Sequence, residues 1–422
     1  MTAMIAGLLV LLLGARLFGE AAERLGQPAI LGELTVGILA GVAIALFGIG
    51  DGAPLGWLRD AAVAPEFKFI ADAGVFFLML MAGIDLKPRE IAQHGMRSFA
   101  VATGGVLLPL AAGTGFALMF LVPGELQLVQ ALFVGVTLAI TAVPTVVKVL
   151  ADMGLMHSKA GETIVAAAIF DDVLGLVLLA VLTALMQSGA TPGAADLALL
   201  LGKVGLFFVI TILLGVHVFP RISARLQVLQ IASAEFGILM VVALAYALLA
   251  EALGMHWIMG AFMAGLYFEP QRVGARAYAE MRILVAGVTS GFLAPMFFVA
   301  MGLAVDLSAV AVAPVFCLGI IAIAVVTKLV GAGLPAYWAG LGARDAMAVG
   351  AGMTVRGGVG IAVIAVGIES GLFTDDGPNG ATHAVTSALV VMAIVTTLLA
   401  PPLLKWILRQ GSGSASSKSE RG

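Results

Sequence analysis

The stretch IVAAAIFDDVLGLVLLAVLTAL, residues 164–185, is apolar except for Thr183 and two adjacent aspartates near its middle, Asp171 and Asp172. A run of this kind matches the roughly 20 apolar residues that a helix needs to cross a bilayer. A charged side chain at the bilayer centre costs on the order of 2.5–3.5 kcal/mol on insertion scales. Two such acids side by side are hard to explain as structure alone. The stretch therefore predicts a membrane-spanning helix that carries an ion site.

Composition places the rest of the chain in the same environment. Hydrophobic residues make up 61% of the 422 residues and charged residues only 11%, which indicates a polytopic membrane protein. Only helices or closed barrels satisfy their backbone in hydrocarbon, and the apolar runs here are continuous and not alternating. The predicted fold class is therefore all-α. The single cysteine, Cys317, excludes an internal disulfide framework.

Hydropathy divides the chain into about 13 apolar segments, and basic residues gather in every second junction between them. The alternate junctions contain only Arg59 and Lys68. Because an excess of Lys and Arg marks the cytoplasmic side, we expect the N-terminus outside and the C-terminus in the cytoplasm. The basic junction residues are Arg16, Arg24, Lys87, Arg89, Arg97, Lys148, Lys159, Arg221, Arg225, Arg272, Arg276, Arg282 and Arg344, followed by Lys405, Arg409, Lys418 and Arg421 after the last segment.

Two pairs of segments repeat within the chain. FFLMLMAGIDL at 76–86 and FFVAMGLAVDL at 297–307 run from Phe-Phe to Asp-Leu with the same spacing. ILG at 30–32 and IMG at 258–260 form a second pair, and in both pairs the two copies are seven helices apart. Successive helices cross the membrane in opposite directions, so segments seven helices apart have opposite orientations. Helices 1–6 and 8–13 are therefore predicted to be inverted repeats joined by helix 7, as in secondary transporters.

Two helices contain a break at the depth of the aspartates. TAVPT at 141–145 interrupts helix 5, where Pro144 removes a backbone donor and disfavours helix before it. TVRGGVG at 354–360 interrupts helix 12, seven helices later. Unwound backbone is tolerated there only beside protein or a water-filled cavity, so a pair of broken helices is expected at the substrate site. The residues predicted to support this region are Thr141, Ala142, Pro144, Arg356 and Gly357.

A lysine, Lys328, lies near the middle of another apolar segment, 315–338. With Asp171 and Asp172 it predicts a relay for a proton and a cation. Neighbouring helix positions point about 100° apart, so one aspartate can pair with the lysine while the other faces a cavity. A hard cation such as Na⁺ prefers the oxygens of a carboxylate, a threonine hydroxyl and free carbonyls.

Structural alternatives stay open for these residues. Intramembrane charges usually pair with one another, so Asp171 and Lys328 could be an ion pair that only stabilises the fold. Arg356 could clamp unwound backbone or bind a substrate.

At this point the residues resemble the monovalent cation:proton antiporter-2 family of bacterial sodium/proton antiporters. The resemblance covers nearly the whole chain. It is carried most specifically by TAVP at 141–144 and FDDVLG at 170–175. Further matches are GQPAILGE at 26–33, Ser233 with Glu235, GAF at 260–262, Phe297-Phe298 and Gly352-Met353.

The resemblance implies specific roles. Asp172 would bind Na⁺ or a proton, and Asp171 would pair with Lys328. The two broken helices, 5 and 12, would cross, and Thr141 would contribute a further Na⁺ ligand at the crossing. Members with this Asp-Asp pair and lysine are typically electrogenic and exchange more protons than cations. The implied function is Na⁺ (or Li⁺) exchange for H⁺ in the bacterial inner membrane, which would serve pH homeostasis, by a homodimer without a cofactor, a nucleic-acid partner or a nucleotide-binding domain.

The resemblance also implies a division of the chain for an elevator-like cycle. A core domain would move against a dimerisation domain. The predicted ranges are 1–96 for dimerisation-side helices 1–3, 97–187 for core helices 4–6, 188–308 for linker helix 7 and dimerisation-side helices 8–10, 309–409 for core helices 11–13, and 410–422 for a polar cytoplasmic tail.

One departure from the family pattern concerns helix 12. The family commonly has a proline and a glutamate flanking the arginine and glycine, where this chain has Val355 and Gly358. Arg356 therefore lacks a local acid, and its partner is left unassigned.

Other functions remain to be weighed. A K⁺/H⁺ antiporter is the main alternative, and a sodium-coupled symporter of an organic anion is a third. An intramembrane aspartyl protease would need its two acids on facing helices, which adjacent aspartates do not provide. Phosphate loops, metal motifs and nucleophile elbows are absent from the sequence, so we expect no enzyme activity.

Overall fold

The computed structural model describes residues 2–25, 27–48, 54–85, 95–121, 123–124, 126–188, 194–218, 221, 234–255, 257–303, 313–356, 372–373 and 381–409. Within these ranges all regular structure is helical, which confirms the predicted all-α class. Eight helical spans in the described part of the chain, with Ala275–Leu303 counted as one, are long and apolar enough to cross a membrane. The predicted Gly357, the second copy of the Asp-Leu pair at 306–307 and the tail at 410–422 lie outside the described residues.

The chain divides into two compact units. The first contains residues 1–19, 32–93 and 193–303, and the second contains 20–31, 94–192 and 304–422. The helices whose residues lie wholly or mainly in the first unit are α1 (Thr2–Arg24), α2 (Ala29–Phe47), α3 (Gly56–Ala62), α4 (Pro65–Asp85), α9 (Ala194–Leu213), α10 (Ala234–Ala252), α11 (Ile258–Leu266), α12 (Pro270–Val273), α13 (Ala275–Val288) and α14 (Ala294–Leu303). Those of the second unit are α5 (Gly95–Phe120), α6 (Gln127–Ala139), α7 (Val143–Asp152), α8 (Lys159–Ser188), α15 (Pro314–Trp338), α16 (Ala343–Gly352) and α17 (Ala381–Arg409).

Helices of the first unit approach one another through glycines. A Cβ atom at Gly32 would lie 2.1 Å from the carbonyl oxygen of Phe18, and one at Gly260 would lie 2.4 Å from that of Tyr246. Gly32 and Gly260 are the glycines of the repeated ILG and IMG segments, and Phe18 precedes Gly32 by the same number of residues as Tyr246 precedes Gly260. The contact between α1 and α2 is therefore repeated between α10 and α11.

The crossings of the next helices repeat in the same way. A Cβ atom at Gly37 of α2 would clash with the carbonyl oxygen of Val299, and one at Gly265 of α11 would clash with that of Leu80. In the opposite direction, Gly302 of α14 faces the Leu34 carbonyl and Gly83 of α4 faces the Phe262 carbonyl. Gly37 and Gly265 occupy the same place after the repeated glycine. The internal repeat is thus a repeat of backbone contacts. In α4 and α14 these contacts lie two residues out of the register that the repeated Phe-Phe pairs predict.

The second unit contains an equivalent pair of contacts. A Cβ atom at Gly135 of α6 would lie 2.5 Å from the Leu110 carbonyl oxygen of α5, and one at Gly350 of α16 would lie 2.6 Å from the Leu329 carbonyl oxygen of α15. In both cases the short helix with the glycine runs directly into a break, after Ala139 and after Gly352. The shared contact fixes where each short helix ends relative to the long helix beside it.

The first break is complete within the described residues. The helix α6 ends at Ala139, residues 140–142 are extended, and α7 begins at Val143 with Pro144 in its first turn. Proline suits that position because the first N–H groups of a helix have no partner inside it. The second break is described from Met353 to Arg356. The two predicted interruptions are confirmed, the second only as far as Arg356.

Some basic residues assigned above to junctions lie inside helices. Arg16 is in α1, eight residues before its end, and Arg282 is in α13. Arg16 donates to the carbonyls of Ser290 (2.6 Å) and Gly291, in a π-helical turn at 289–293. A π turn disturbs the regular helical ladder, and the guanidinium supplies donors there. Hydropathy could not show this contact because it joins residues far apart in the chain.

The glycine crossings make a stability prediction. We expect Gly265→Ala to lower the free energy of unfolding by about 1–3 kcal/mol, because the new methyl group meets backbone that cannot rotate away. The matched control is Gly202→Ala in α9, where a Cβ has open space within 4 Å. Melting temperatures of the purified proteins in one detergent provide the measurement. Equal melting temperatures for the two variants would contradict the packing argument.

Candidate ion-transport site

Asp171 is the acid at the centre of the second unit. Its side chain is completely buried in α8. One carboxylate oxygen accepts the backbone N–H of Thr141 at 2.6 Å. The other lies 3.3 Å from the Nζ of Lys328, whose side chain is also completely buried. The structure therefore brings together the predicted acid, the predicted lysine and the first break.

Lys328 has a second and shorter contact. Its Nζ donates to the hydroxyl of Thr141 at 2.8 Å. That hydroxyl in turn donates to the Met353 carbonyl, the free end of α16, at 3.2 Å. Asp171, Thr141 and Lys328 thus form one network that links α8, α15 and both breaks. The Thr141 oxygen, predicted as a Na⁺ ligand, is occupied by the lysine in this arrangement.

Asp172 has a different environment from its neighbour. Its side chain is partly exposed, and within the described part of the chain its carboxylate has no hydrogen bond or ion pair. Successive helix residues point about 100° apart, which separates the two acids although they are adjacent in sequence. One carboxylate is held by two partners and the other is available to a ligand.

The two breaks are joined by their backbones. Ala142, in the first break, donates its N–H to the carbonyl of Val355 in the second at 3.1 Å. This bond satisfies groups that would otherwise be left unpaired in a low-dielectric region. It also sets the two unwound segments side by side, with Asp171 next to the first of them.

The Arg356 guanidinium donates to carbonyl oxygens, and among the described residues it has no carboxylate partner. Its side chain is about 1% exposed. One terminal nitrogen donates to Leu138 O, in the last turn of α6, and the other donates to Thr354 O at 3.2 Å. The partner left open by the sequence is therefore the free carbonyl end of a half-helix, where a positive charge is favourable. Its Nε has no hydrogen-bond partner among the described residues.

Arg356 and Thr141 occupy equivalent places in the two repeats. Thr141 lies three residues after Leu138, and Arg356 lies three residues after Met353. Each side chain donates to the carbonyl that lies three residues before the other residue. Thr141 donates to Met353 O, and Arg356 donates to Leu138 O. The two broken helices therefore cap each other reciprocally, with a neutral group in one direction and a cation in the other.

Sequence reasoning missed Thr397 of α17. Its hydroxyl accepts the backbone N–H of Arg356 at 3.2 Å and also contacts the carbonyl of Arg356. The only sequence signal was a buried polar residue in an apolar helix, which is a common feature. Of the other predicted residues, Ala142 contributes through its backbone, and Pro144 lies at the start of α7. Searching the described residues reveals no cluster of three His, Cys, Asp or Glu side chains able to hold a resident metal.

Comparison with known proteins places the chain beside cation/proton antiporters. The chain is 31% identical over 397 residues to the Na(+)/H(+)-K(+) antiporter GerN of Bacillus cereus, and 94% of each chain is covered. It is 29% identical over 405 residues to a Na(+)/H(+) antiporter of Enterococcus hirae, with 96% of this chain and 98% of the relative covered. The high-affinity Na(+)/H(+) antiporter NhaS3 of Synechocystis is 31% identical over 434 residues, with coverage of 94% and 88%.

The fold is shared with a solved transporter structure. The sodium proton antiporter MjNhaP1 of Methanocaldococcus jannaschii superposes with a TM-score of 0.63 at 21% identity, and 96% of each chain is covered. This likeness confirms the predicted fold class. A family model described as "Sodium/hydrogen exchanger, transmembrane" matches residues 8–410. The chain is therefore a multi-pass membrane protein that belongs to the sodium/hydrogen exchanger family.

Proposed function

We propose that this protein is a secondary active transporter that exchanges Na⁺ (or Li⁺) for H⁺ across the cell membrane. The observation that carries the proposal is the contrast between two adjacent acids. Asp171 is bound to Lys328 and Thr141, whereas Asp172 has no hydrogen-bond or ion-pair partner among the described residues. An intramembrane carboxylate without a partner is costly unless it binds a proton or a cation. The relatives named as Na(+)/H(+) antiporters support the same ions.

In this proposal Asp172 binds the transported ion. A Na⁺ ion needs several oxygen ligands. The Asp172 carboxylate supplies the first, and Thr141 can supply another once Lys328 releases its hydroxyl. Cation binding and the lysine contact then compete for one oxygen. Because the contact is made by the protonated lysine, this competition makes binding of the cation and retention of the Lys328 proton mutually exclusive.

Lys328 provides a route to electrogenic exchange. A cation beside Asp172 and Asp171 weakens the attraction that holds the lysine, and a lysine without its partner in a low-dielectric site releases its proton. One proton then leaves Asp172 and another leaves Lys328 for each monovalent cation that binds. Two positive charges move in one direction and one in the other, so the cycle carries net charge.

Potassium/proton exchange is the second candidate, and it is supported by the similarity to GerN, a Na(+)/H(+)-K(+) antiporter. The sodium-coupled organic anion symporter is disfavoured by the contacts of Arg356. Each of its terminal nitrogens donates to a backbone carbonyl, Leu138 O and Thr354 O, which gives the guanidinium a structural role.

The remaining proposals concern the whole transporter. A core domain that carries the site would move past a dimerisation domain in an elevator-like cycle, within a homodimer in the bacterial inner membrane. The basic junctions favour an external N-terminus and a cytoplasmic C-terminus.

The orientation can be tested with single cysteines in a Cys317→Ala background. Arg276→Cys should react with a membrane-impermeant maleimide only from the cytoplasmic side, and Arg59→Cys only from outside. Both side chains are exposed, at 92% and 44% respectively. Labelling of both positions from the same side would contradict the proposed topology.

The proposed ion site predicts that Asp172→Asn abolishes exchange in a folded protein, since removal of a costly intramembrane charge does not destabilise the fold. The assay is sodium-dependent dequenching of a pH dye in proteoliposomes, repeated with Li⁺ and K⁺. Asp60→Asn, an exposed acid of α3, is the control and should keep wild-type rates. Sodium exchange at the wild-type rate by Asp172→Asn would refute the assignment of Asp172 as the residue that binds the transported ion.

The proposed role of Lys328 predicts a change in stoichiometry. We expect Lys328→Gln to retain exchange with one proton per cation, which makes it electroneutral, while the wild type responds to voltage. The measurement is the reversal potential of sodium flux in proteoliposomes under set voltage and pH gradients. Lys203→Gln in α9 removes an exposed lysine and should behave like the wild type. A wild-type reversal potential that ignores voltage would reduce Lys328 to a structural counter-ion.

A further inference from the structure

Each unwound segment is attached by a backbone N–H to a side chain on a long helix. In the first repeat, Thr141 donates its N–H to the Asp171 carboxylate of α8. In the second, Arg356 donates its N–H to the Thr397 hydroxyl of α17. Because Thr141 and Arg356 occupy equivalent places, Asp171 and Thr397 perform the same structural task in the two repeats.

The two attachments differ in charge. Asp171 belongs to the network that includes Lys328, so the charge around it changes whenever a proton or cation is exchanged. The Thr397 hydroxyl stays neutral at every pH at which the protein works. It is completely buried and also contacts the Arg356 carbonyl and the Ala393 carbonyl, the latter at 2.7 Å. The second attachment therefore does not respond to the state of the site.

The position of the Arg356 backbone determines where its guanidinium lies. From that backbone the side chain reaches Leu138 O at the end of α6, three residues before Thr141. A displaced backbone would withdraw the positive charge from this carbonyl end and let the first break move. Thr141, which contacts both Asp171 and Lys328, would move with it.

We infer that Thr397 is a positioning residue of the transport site: its hydroxyl fixes the backbone of Arg356, and thereby the guanidinium that caps α6 beside Thr141. Thr397 does not touch the transported ion. Its effect reaches the ion through Arg356, the end of α6 and Thr141. The inference rests on the proposed sodium/proton exchange.

The neighbouring threonine offers a matched control. Thr396 is also completely buried in α17, but among the described residues its hydroxyl donates only to carbonyls of the same helix, Met392 O at 2.8 Å and Ala393 O at 3.0 Å. The substitutions Thr396→Val and Thr397→Val remove the same hydroxyl from adjacent buried positions. Only the second releases Arg356.

The experiment compares sodium-driven proton flux by the wild type, Thr396→Val, Thr397→Val and Thr397→Ser in proteoliposomes. We expect Thr397→Val to raise the apparent KM for Na⁺ about tenfold, as for the loss of one buried hydrogen bond, with a smaller change in the maximal rate per folded protein. Thr396→Val and Thr397→Ser should keep the wild-type KM, the serine because it retains the hydroxyl. Size-exclusion profiles and melting temperatures in detergent provide the folded fraction.

The possible outcomes separate this inference from the proposed function. Absence of sodium exchange in the wild type would refute the function. Normal wild-type exchange with the same KM for Thr397→Val and Thr396→Val would refute the inference alone. A loss of maximal rate at unchanged KM, or failure of Thr397→Val to fold where Thr397→Ser folds, would assign Thr397 to the fold and also overturn it.

Discussion

Every backbone polar group freed inside the membrane must find a partner within the protein, and the second unit is arranged around this requirement. Two broken helices expose carbonyls at Leu138 and Met353 and N–H groups at Thr141 and Ala142. The carbonyls are satisfied across the crossing by Arg356 and Thr141, and the N–H groups by Asp171 and Val355. The side chains that satisfy the freed backbone groups, such as Asp171 and Thr141, thus also form the ion site. A change in charge at the site necessarily alters how the breaks are held.

The internal repeat provides this crossing, and its departures from symmetry provide the chemistry. Glycine contacts between helices recur almost residue for residue in the two halves of the first unit. In the second unit, equivalent positions of the two repeats carry different side chains. After the short helices, Thr141 corresponds to Arg356, and on the long helices Asp171 performs the task of Thr397. One half therefore responds to protons and cations, while the other holds its segment with groups that stay in one charge state. A symmetric pair of acids would place two like charges at the crossing, which is unfavourable in a low dielectric.

The close packing of the helices is compatible with the changes in hydrogen bonding that ion exchange requires at the site. The glycine crossings bring backbones into direct contact, and such contacts tolerate little change in side-chain volume. At the site, by contrast, Lys328 has two acceptors, Asp171 Oδ1 and Thr141 Oγ1, and can exchange one for the other with a small movement. The rigid helices thus define the geometry, and the change needed for exchange is confined to a few hydrogen bonds of one lysine and one threonine.

The sequence by itself determined the helical class, the membrane environment, the internal repeat, the two interruptions and the set of charged residues at their depth. These features follow from hydropathy, proline chemistry and the cost of buried charge, which act locally along the chain. The family resemblance, and not the residue pattern, implied that Asp171 pairs with Lys328. Only the tertiary structure decided that Arg356 caps Leu138 O, that Arg16 lies within α1 against a π turn, and that Thr397 holds Arg356. Each of these depends on contacts between residues distant in sequence, such as the 218 positions that separate Arg356 from Leu138. Periodicity carries no information about such pairs, because a partner is selected by the direction in which a free backbone group points once the helices have packed.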